Sequence, residues 1–524
     1  MSNDLQEALT AAGAAALVQK QIDPVLLEYQ RRYAPLVRAL PTVKWGSTVY
    51  YFNKRTALPA GGFVTDGGAR DVATSSYNQE NFQIRLLQSV GAVTGYSQAV
   101  TADLIGDLRA REIEGAARGL YWDIENALIW GAEAPTAQGS YPQFDGLDVI
   151  CSQFTNVAYT SGGSPMTGIG GGTIDNYGGA STWGAPNYNP WLDGKDQNAI
   201  NFGGNSLTLG GLDLLIDLVE SNVAEPVETS DWMFLMSPNA TSRLSQLLVN
   251  QQRFVDKVEI APGLIVQTYR GVPIVKTSFL SPRTNVMNAV YASNSGAVSG
   301  GSLTAGVYGY KVSAVIARFG EIQASAAYSV TTASSNLKVK LNIVPPTGPD
   351  GAQATHYKVY RTAIGGSQST NTNFTLIGMV DASFIATDGK NYATSYIYDD
   401  GTTLTYDDGT KTNSFAPSTY LYGNANMNPL TSNGEQSIYL MSRDPNYIVR
   451  PHVREMQAVN VYPTTASPDS LPFAFVADTT LAVRAPKYLG RLANVASALD
   501  KNSGFGGTYT SALSPAIQPS FIVD

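Results

Sequence analysis

A chain of 524 residues is longer than one hydrophobic core serves, so two or three domains are expected. Charged residues are only 15% of the chain and the formal net charge is −8, which excludes the basic stripe of a protein that coats nucleic acid. The single cysteine, Cys151, excludes an internal disulfide, and no run of about 18 apolar residues offers a membrane span.

Residues 4–38 are helix-forming and amphipathic in patches, with Pro24 opening a second segment; an arm that packs on neighbours and an ordinary helical hairpin both fit. The acidic residues ahead of the first apolar stretch do not make a signal peptide, which points to synthesis in a reducing cytoplasm. Val49 to Phe52 and Phe82 to Leu86 read as strands, separated by a turn-rich stretch holding Pro59, Gly61, Gly62, Gly67 and Gly68. A helix-free connection that long is uncommon inside a compact domain, so it predicts a two-stranded excursion that lies on another subunit.

Thr101 to Trp130 keeps a helical stripe through Ile105, Leu108, Ile113, Leu120, Ile124 and Leu128, with Thr101 as N-cap and Gly131 as C′ glycine. At 1.5 Å per residue this predicts a rod of roughly 45 Å. Gly106, Gly115 and Gly119 weaken it and suit a close backbone approach or a tolerated defect. Residues 160–206 are rich in Gly, Asn, Tyr and Trp without period and read as a surface loop. A helix over Thr208–Val223 and a buried strand over Trp232–Met236 follow. Ser237 and Pro238 then form a cap and N1 proline for a helix to about Val249. Leu264–Tyr269 and Val272–Lys276 form a hairpin.

From Ser299 to Thr412 the helical period disappears, and Tyr310, Val312, Ala314, Ile316 and Leu337, Val339, Leu341, Ile343 alternate as strands do. Mixed character resumes with strands over Ser437–Met441, Glu455–Tyr462 and Leu481–Ala485. The pattern is an all-β insertion in an α+β host.

No catalytic constellation emerges. His356 sits on an alternating strand and reads as a surface residue, while His452 has no ligand or triad partner near it in sequence. Gly168 to Gly172 lacks the ending of a phosphate loop, and Cys151 reads as a buried inert thiol with no basic neighbour. The pentapeptide Tyr-Asp-Asp-Gly-Thr occurs at Tyr398 and again at Tyr406. Its Asp399, Asp400, Asp407 and Asp408 are a calcium candidate set, against the competing reading of Asp-Gly turns that close hairpins.

The order of these features resembles the major capsid protein of a tailed bacteriophage with the Hong Kong 97-type fold. The residues that carry it are the arm, the turn-rich excursion, the long helix ending Ala127-Leu128-Ile129-Trp130-Gly131 and the Phe144-Asp145-Gly146-Leu147 turn. The Tyr269-Arg270-Gly271-Val272-Pro273-Ile274-Val275 hairpin and the late strand Leu481-Ala482-Val483-Arg484 complete the set. The resemblance implies an N-arm over 1–44, an extended loop over 45–95 and a peripheral domain with spine helix over 96–204, returning over 455–524. It implies an axial domain over 205–298 and 413–454, interrupted by the insertion at 299–412. That insertion resembles an immunoglobulin-like or fibronectin type III-like sandwich without a Cys–Trp–Cys core, a passenger displayed outward from the host.

Further implications are self-assembly as hexamers and pentamers into an icosahedral virion shell in the host bacterial cytoplasm. The shell encloses double-stranded DNA without reading its sequence, with scaffold, portal and decoration proteins as partners and no cofactor. Some family members cross-link a loop lysine to a neighbour's asparagine, and Lys54 and Asn494 have those residue types. Others carry a cleaved N-terminal scaffolding segment, for which a start at Met1 leaves no room. Rival readings are a cellular nanocompartment (encapsulin) shell of the same fold, a polysaccharide-active enzyme with a fibronectin-type module, and a tail or adhesin protein.

Overall fold

The computed structural model describes residues 35–57, 74–101, 107–132, 143–151, 199–223, 225–229, 231–250, 257–261, 264–281, 295–333, 335–344, 354–381, 396–401, 404–407, 419–420, 427–431, 434–459 and 469–496, with single positions between some of them. Pro35 opens one helical turn, α1 (Leu36–Ala39), followed by strand β1 (Thr42–Lys44). Strands β2 (Val49–Ala57) and β3 (Ser76–Gln83) pair antiparallel from Val49↔Gln83 to Ala57↔Ser76 and form a two-stranded sheet by themselves. Strand β4 (Arg85–Thr94) leads into helix α2 (Gly95–Thr101), then helix α3 (Leu108–Trp130) and one turn, α4 (Leu147–Ile150).

The expected single rod over 101–130 is therefore corrected. Thr101 ends α2 and donates its hydroxyl to the Ser97 carbonyl (2.8 Å). The cap of α3 is Asp107, whose carboxylate accepts the Ala110 N–H at 3.1 Å. Gly131 is extended (φ −60°) instead of left-handed, and its value is closeness: a Cβ there would stand 2.4 Å from the carbonyls of Ala127 and Phe144. Gly115 faces open space, so it is a tolerated defect.

Strand β5 (Ala199–Asn201) and helix α5 (Leu209–Val223) precede strand β6 (Trp232–Met236) and helix α6 (Pro238–Asn250). Ser237 caps α6 as its position before Pro238 predicts, accepting the Ala240 N–H. Strands β7 (Lys257–Ala261), β8 (Leu264–Tyr269) and β9 (Val272–Lys276) follow. The β8–β9 hairpin turns on Arg270 and Gly271, both at positive φ.

Next come β10 (Gly296–Val298), β11 (Gly306–Ile316), β12 (Gly320–Glu321), β13 (Tyr328–Thr332), β14 (Lys338–Asn342), β15 (Ala354–Thr362), β16 (Phe374–Asp381), β17 (Tyr396–Asp399), β18 (Leu404–Asp407) and β19 (Thr419–Tyr420). The chain closes with β20 (Glu435–Ser442), β21 (Ile448–His452), β22 (Gln457–Val459), β23 (Ser470–Thr479), β24 (Ala482–Val483) and β25 (Leu489–Ala496).

The main body is a seven-stranded mixed sheet in the order β5-β25-β20-β6-β9-β8-β7. Its central strands are buried on both faces, which is why Trp232–Met236 reads as an unbroken apolar run. Phe234 and Met236 pack toward α5 and α6, with Leu215, Ile216, Val219 and Leu244. Met233 and Leu235 point the other way, into a core with Leu128, Ile129 and Trp130 of α3 and Leu147 and Ile150 of α4. A second sheet centres on β23, with β4 along one edge and β22 and β21 along the other.

The strands from β10 to β19 (residues 296–420) leave the body after β9 and return before β20, building two facing sheets. Four strands run β10-β14-β17-β18, and the other sheet runs β12-β11-β15-β16-β19 with β13 beside β11. Tyr310, Val312, Ala314 and Ile316 of β11 meet Val339, Leu341, Tyr357, Val359, Ile397 and Leu404 in the core between them.

Candidate functional site: a projecting ribbon, an open sheet face and a buried ionic junction

Among the described residues, the β2–β3 ribbon is anchored at its base. There Tyr50 packs on Val449 and Ala482, and Phe52 stacks on Phe82 with ring centroids 5.7 Å apart. Arg484 lies over both the Tyr50 and the Phe52 rings. The alternate residues face solvent: Tyr51 is 46% exposed and Tyr77 64%. Farther out, the ribbon holds itself together by Arg55 donating to the Tyr77 hydroxyl (2.9 Å) and Gln79 donating to Asn53 (3.3 Å).

A second open surface lies on the sheet centred on β23. Leu87 and Phe475 point toward α3, and Gly91 leaves the space that the Phe473 ring fills. Pleating therefore turns Leu86, Gln88, Val90, Ala92 and Thr94 outward, all exposed. Val90, Ala474 and Val459 lie in register across three strands, and Val90 is 63% exposed.

The third feature is internal. The outer face of β11 and β15 is not solvated; it abuts the main body. Lys358 of β15 is fully buried, with its Nζ 2.7 Å from Asp148 Oδ2 on α4 and 2.5 Å from Glu321 Oε2 on β12. Asp148 Oδ1 meets Arg491 of β25 at 2.9 Å. Glu321 Oε1 accepts from Tyr360 (2.9 Å) and Ser313 (2.7 Å). Burial pushes the Asp148 carboxyl up, but Lys358 and Arg491 outweigh it and hold the group below the usual carboxylate value. Burial likewise opposes the charge on Arg491, and Tyr439 and Asp148 reverse that and raise its pKa.

Around this cluster, Tyr360, Phe374, Leu376 and Met379 pack on Ala132, Val149 and Ala493 of the body. Gly320, at φ +78°, lets the β11–β12 connection close on Trp130, whose indole a Cβ would approach to 2.7 Å. At the surface Arg318 adds a two-point pair with Asp123 of α3 (2.5 and 2.8 Å). The passenger expectation is thus corrected: the two-sheet region shares a buried ionic and apolar junction with its host. His356 is corrected with it. The residue is buried at the same junction, and desolvation, with Lys358 nearby, lowers its pKa to about 3.

A separate buried carboxylate ties down α1. Glu125 of α3 accepts the N–H groups of Leu36 (3.2 Å) and Val37 (2.9 Å) and the Thr277 hydroxyl (3.0 Å). Burial raises its pKa to about 7 against those hydrogen bonds.

The sequence candidates are dispersed. Asp399 is buried, accepting from Tyr310 (2.8 Å) and pairing with Arg361 (2.7 Å), while the Asp400 carbonyl accepts from Ser302. Asp407 lies on β18, and Asp408 is outside the described residues. Among the described residues no group of three or more His, Cys, Asp or Glu could hold a metal ion. Lys54 stands on β2 opposite Asn78. Asn494 is buried, its amide accepting the Asn428 N–H (3.0 Å) and donating to the Asn428 carbonyl (2.9 Å). Cys151 is buried and its thiol is pushed up to about 12 by desolvation, yet Arg491 lies close enough to act on it, a basic neighbour that sequence proximity does not reveal. The N-terminal segment 1–34, Gly168–Gly172 and the Tyr/Trp-rich stretch to 198 lie outside the described residues.

No protein-family model matches the chain, and no curated protein does. Solved structures similar to it include phage capsids and an encapsulin. The capsid of cyanophage A-1(L) aligns over 93% of this chain and 99% of its own, at 10% identity and a TM-score of 0.43. The capsid of Myoviridae phage XM1 aligns over 92% and 98%, at 8% identity and 0.42. The SrpI encapsulin of Synechococcus elongatus PCC 7942 aligns over 94% and 98%, at 12% identity and 0.37. None of these scores reaches 0.5.

Proposed function

We propose that this chain is a shell-forming subunit, the major capsid protein of a tailed bacteriophage with the Hong Kong 97-type fold, whose copies enclose double-stranded DNA. The observation that carries the reading is the ribbon. A two-stranded sheet is marginal in water, and this one offers Tyr51 and Tyr77 to solvent with no third strand beside it among the described residues. Its stability fits contact with another copy of the chain, and the open face through Leu86, Val90 and Val459 is a complementary apolar surface of the kind that copies cover. The chain order of arm, ribbon, long helix and returning strands supports the same assignment. The region 299–412 is the insertion of that reading, an immunoglobulin-like or fibronectin type III-like sandwich on the outer surface of each subunit. Scaffold, portal and decoration proteins are its expected partners.

Electron microscopy of the purified full chain, expressed alone and with the scaffold protein from its own genome, tests this. Closed shells are expected. Monomers or small oligomers across salt concentrations in both preparations would sink the reading. Shells that capture protein cargo and never DNA would move the assignment to a nanocompartment.

A further inference from the structure

We propose that Lys358 and Asp148 join in an intramolecular amide bond, formed without an enzyme and with Glu321 as the proton carrier. The proposal stands on the junction geometry and is independent of shell assembly. An amine, a carboxyl acceptor and a second carboxylate share one contact: Lys358 Nζ lies 2.7 Å from Asp148 Oδ2 and 2.5 Å from Glu321 Oε2. An ammonium has no lone pair and a carboxylate is a poor electrophile, so the two do not condense in water. Burial excludes the competing water here, and Glu321 beside the amine is placed to take its proton. Here Lys358 and Asp148 have no exposed side-chain surface, and the Trp130 ring closes one side at 5.3 Å from Nζ.

The surrounding groups are arranged for the step. Tyr360 and Ser313 both donate to Glu321 Oε1, which fixes the carboxylate and leaves Oε2 for the ammonium. Arg491 meets Asp148 Oδ1, the oxygen turned away from Lys358, where negative charge develops when the carboxyl carbon is attacked. Glu321 takes a proton from the ammonium, and the freed nitrogen lone pair attacks the Asp148 carboxyl carbon. The C–N bond forms and the bond from that carbon to Oδ2 breaks. Oδ2 leaves as water, carrying two protons that were on Nζ and that Glu321 relays. An ammonium and a carboxylate become an amide and a water, with no oxidant or nucleotide required. Charge also closes: Lys358 and Arg491 balance Asp148 and Glu321 before the step, and Arg491 balances Glu321 after it.

Such a bond sews α4 to β15, and therefore the main body to the two-sheet region. Mass spectrometry of the denatured full chain tests it directly. The expected mass is that of the sequence less one water, with a digest yielding one branched fragment that joins the Asp148 and Lys358 segments. The Glu321→Gln variant, checked for an unchanged circular dichroism spectrum, is expected to return to its full sequence mass. An unmodified mass for the parent protein after prolonged incubation overturns the proposal. So does a water loss mapping to another place, such as a cyclised Asp145-Gly146. Retention of the branched fragment in Glu321→Gln would overturn the role given to Glu321.

Discussion

The ribbon and the junction put similar chemistry to opposite uses. Both are β-surfaces that mix aromatic rings with cations: Arg55 over Tyr77 at 5.4 Å on the ribbon, and Lys358 near Trp130 at 5.3 Å in the junction. In the junction every charge finds an opposite within the subunit and water is excluded. On the ribbon Tyr51 and Tyr77 stay half in solvent, and among the described residues no further strand pairs with either edge. A surface that is satisfied internally fixes the shape of one molecule, whereas one left unsatisfied is open to a partner.

Three variants probe that contrast. Lys358→Met should have the largest effect, because Asp148 and Glu321 then share the single cation Arg491; breaking buried pairs of this kind costs about 3–5 kcal/mol. Urea unfolding of the full chain measures it, and a loss under about 1 kcal/mol would show that the junction is solvated. Glu125→Gln tests the next buried charge. Its carboxyl binds a proton more tightly folded than unfolded, so its stabilising contribution is complete below about 4.5 and is lost as pH rises through about 7. Across that window the parent should lose on the order of 3 kcal/mol that the variant does not. Parallel curves for the two proteins from pH 5 to 8 would contradict it. Last, the double change Tyr51→Ser and Tyr77→Ser should lower the unfolding free energy of the isolated subunit by no more than about 1 kcal/mol, the exposed Arg55–Tyr77 hydrogen bond included. Shell yield should nevertheless collapse; assembly at parental yield would remove the ribbon from the contact.

The parts legible in the sequence are those whose signal is local. Ser237-Pro238 announces α6, an apolar run announces β6, and alternation announces β11, β14 and β15. The same alternation misplaces His356. Period two says only that a residue lies on the other face, and here that face meets the host instead of water. The junction was invisible for a related reason. Asp148, Glu321, Lys358 and Arg491 come from four separate stretches, and no spacing rule connects them. One sign was available: His356 to Tyr360 alternates, yet both of its faces hold bulky side chains, as in a strand covered on both sides. Division of the predicted rod into α2 and α3 was hidden because Thr101 and Asp107 are equally good caps, and tertiary contacts choose between them.

The pairing of β4 with β23 joins Thr94 to Ser470 and Arg85 to Thr479, and β25, near the end of the described chain, lies beside β20 within the main sheet. A ribosome therefore releases most of the polypeptide before either sheet has its full set of strands. Until β20 through β25 emerge, the apolar faces of α3, α5 and β6 lack their covering strands, and the nascent chain has every reason to stick. A chain cut short before β20 therefore leaves β6 without its β20 neighbour and β4 without β23, the strand that pairs with it along its whole length.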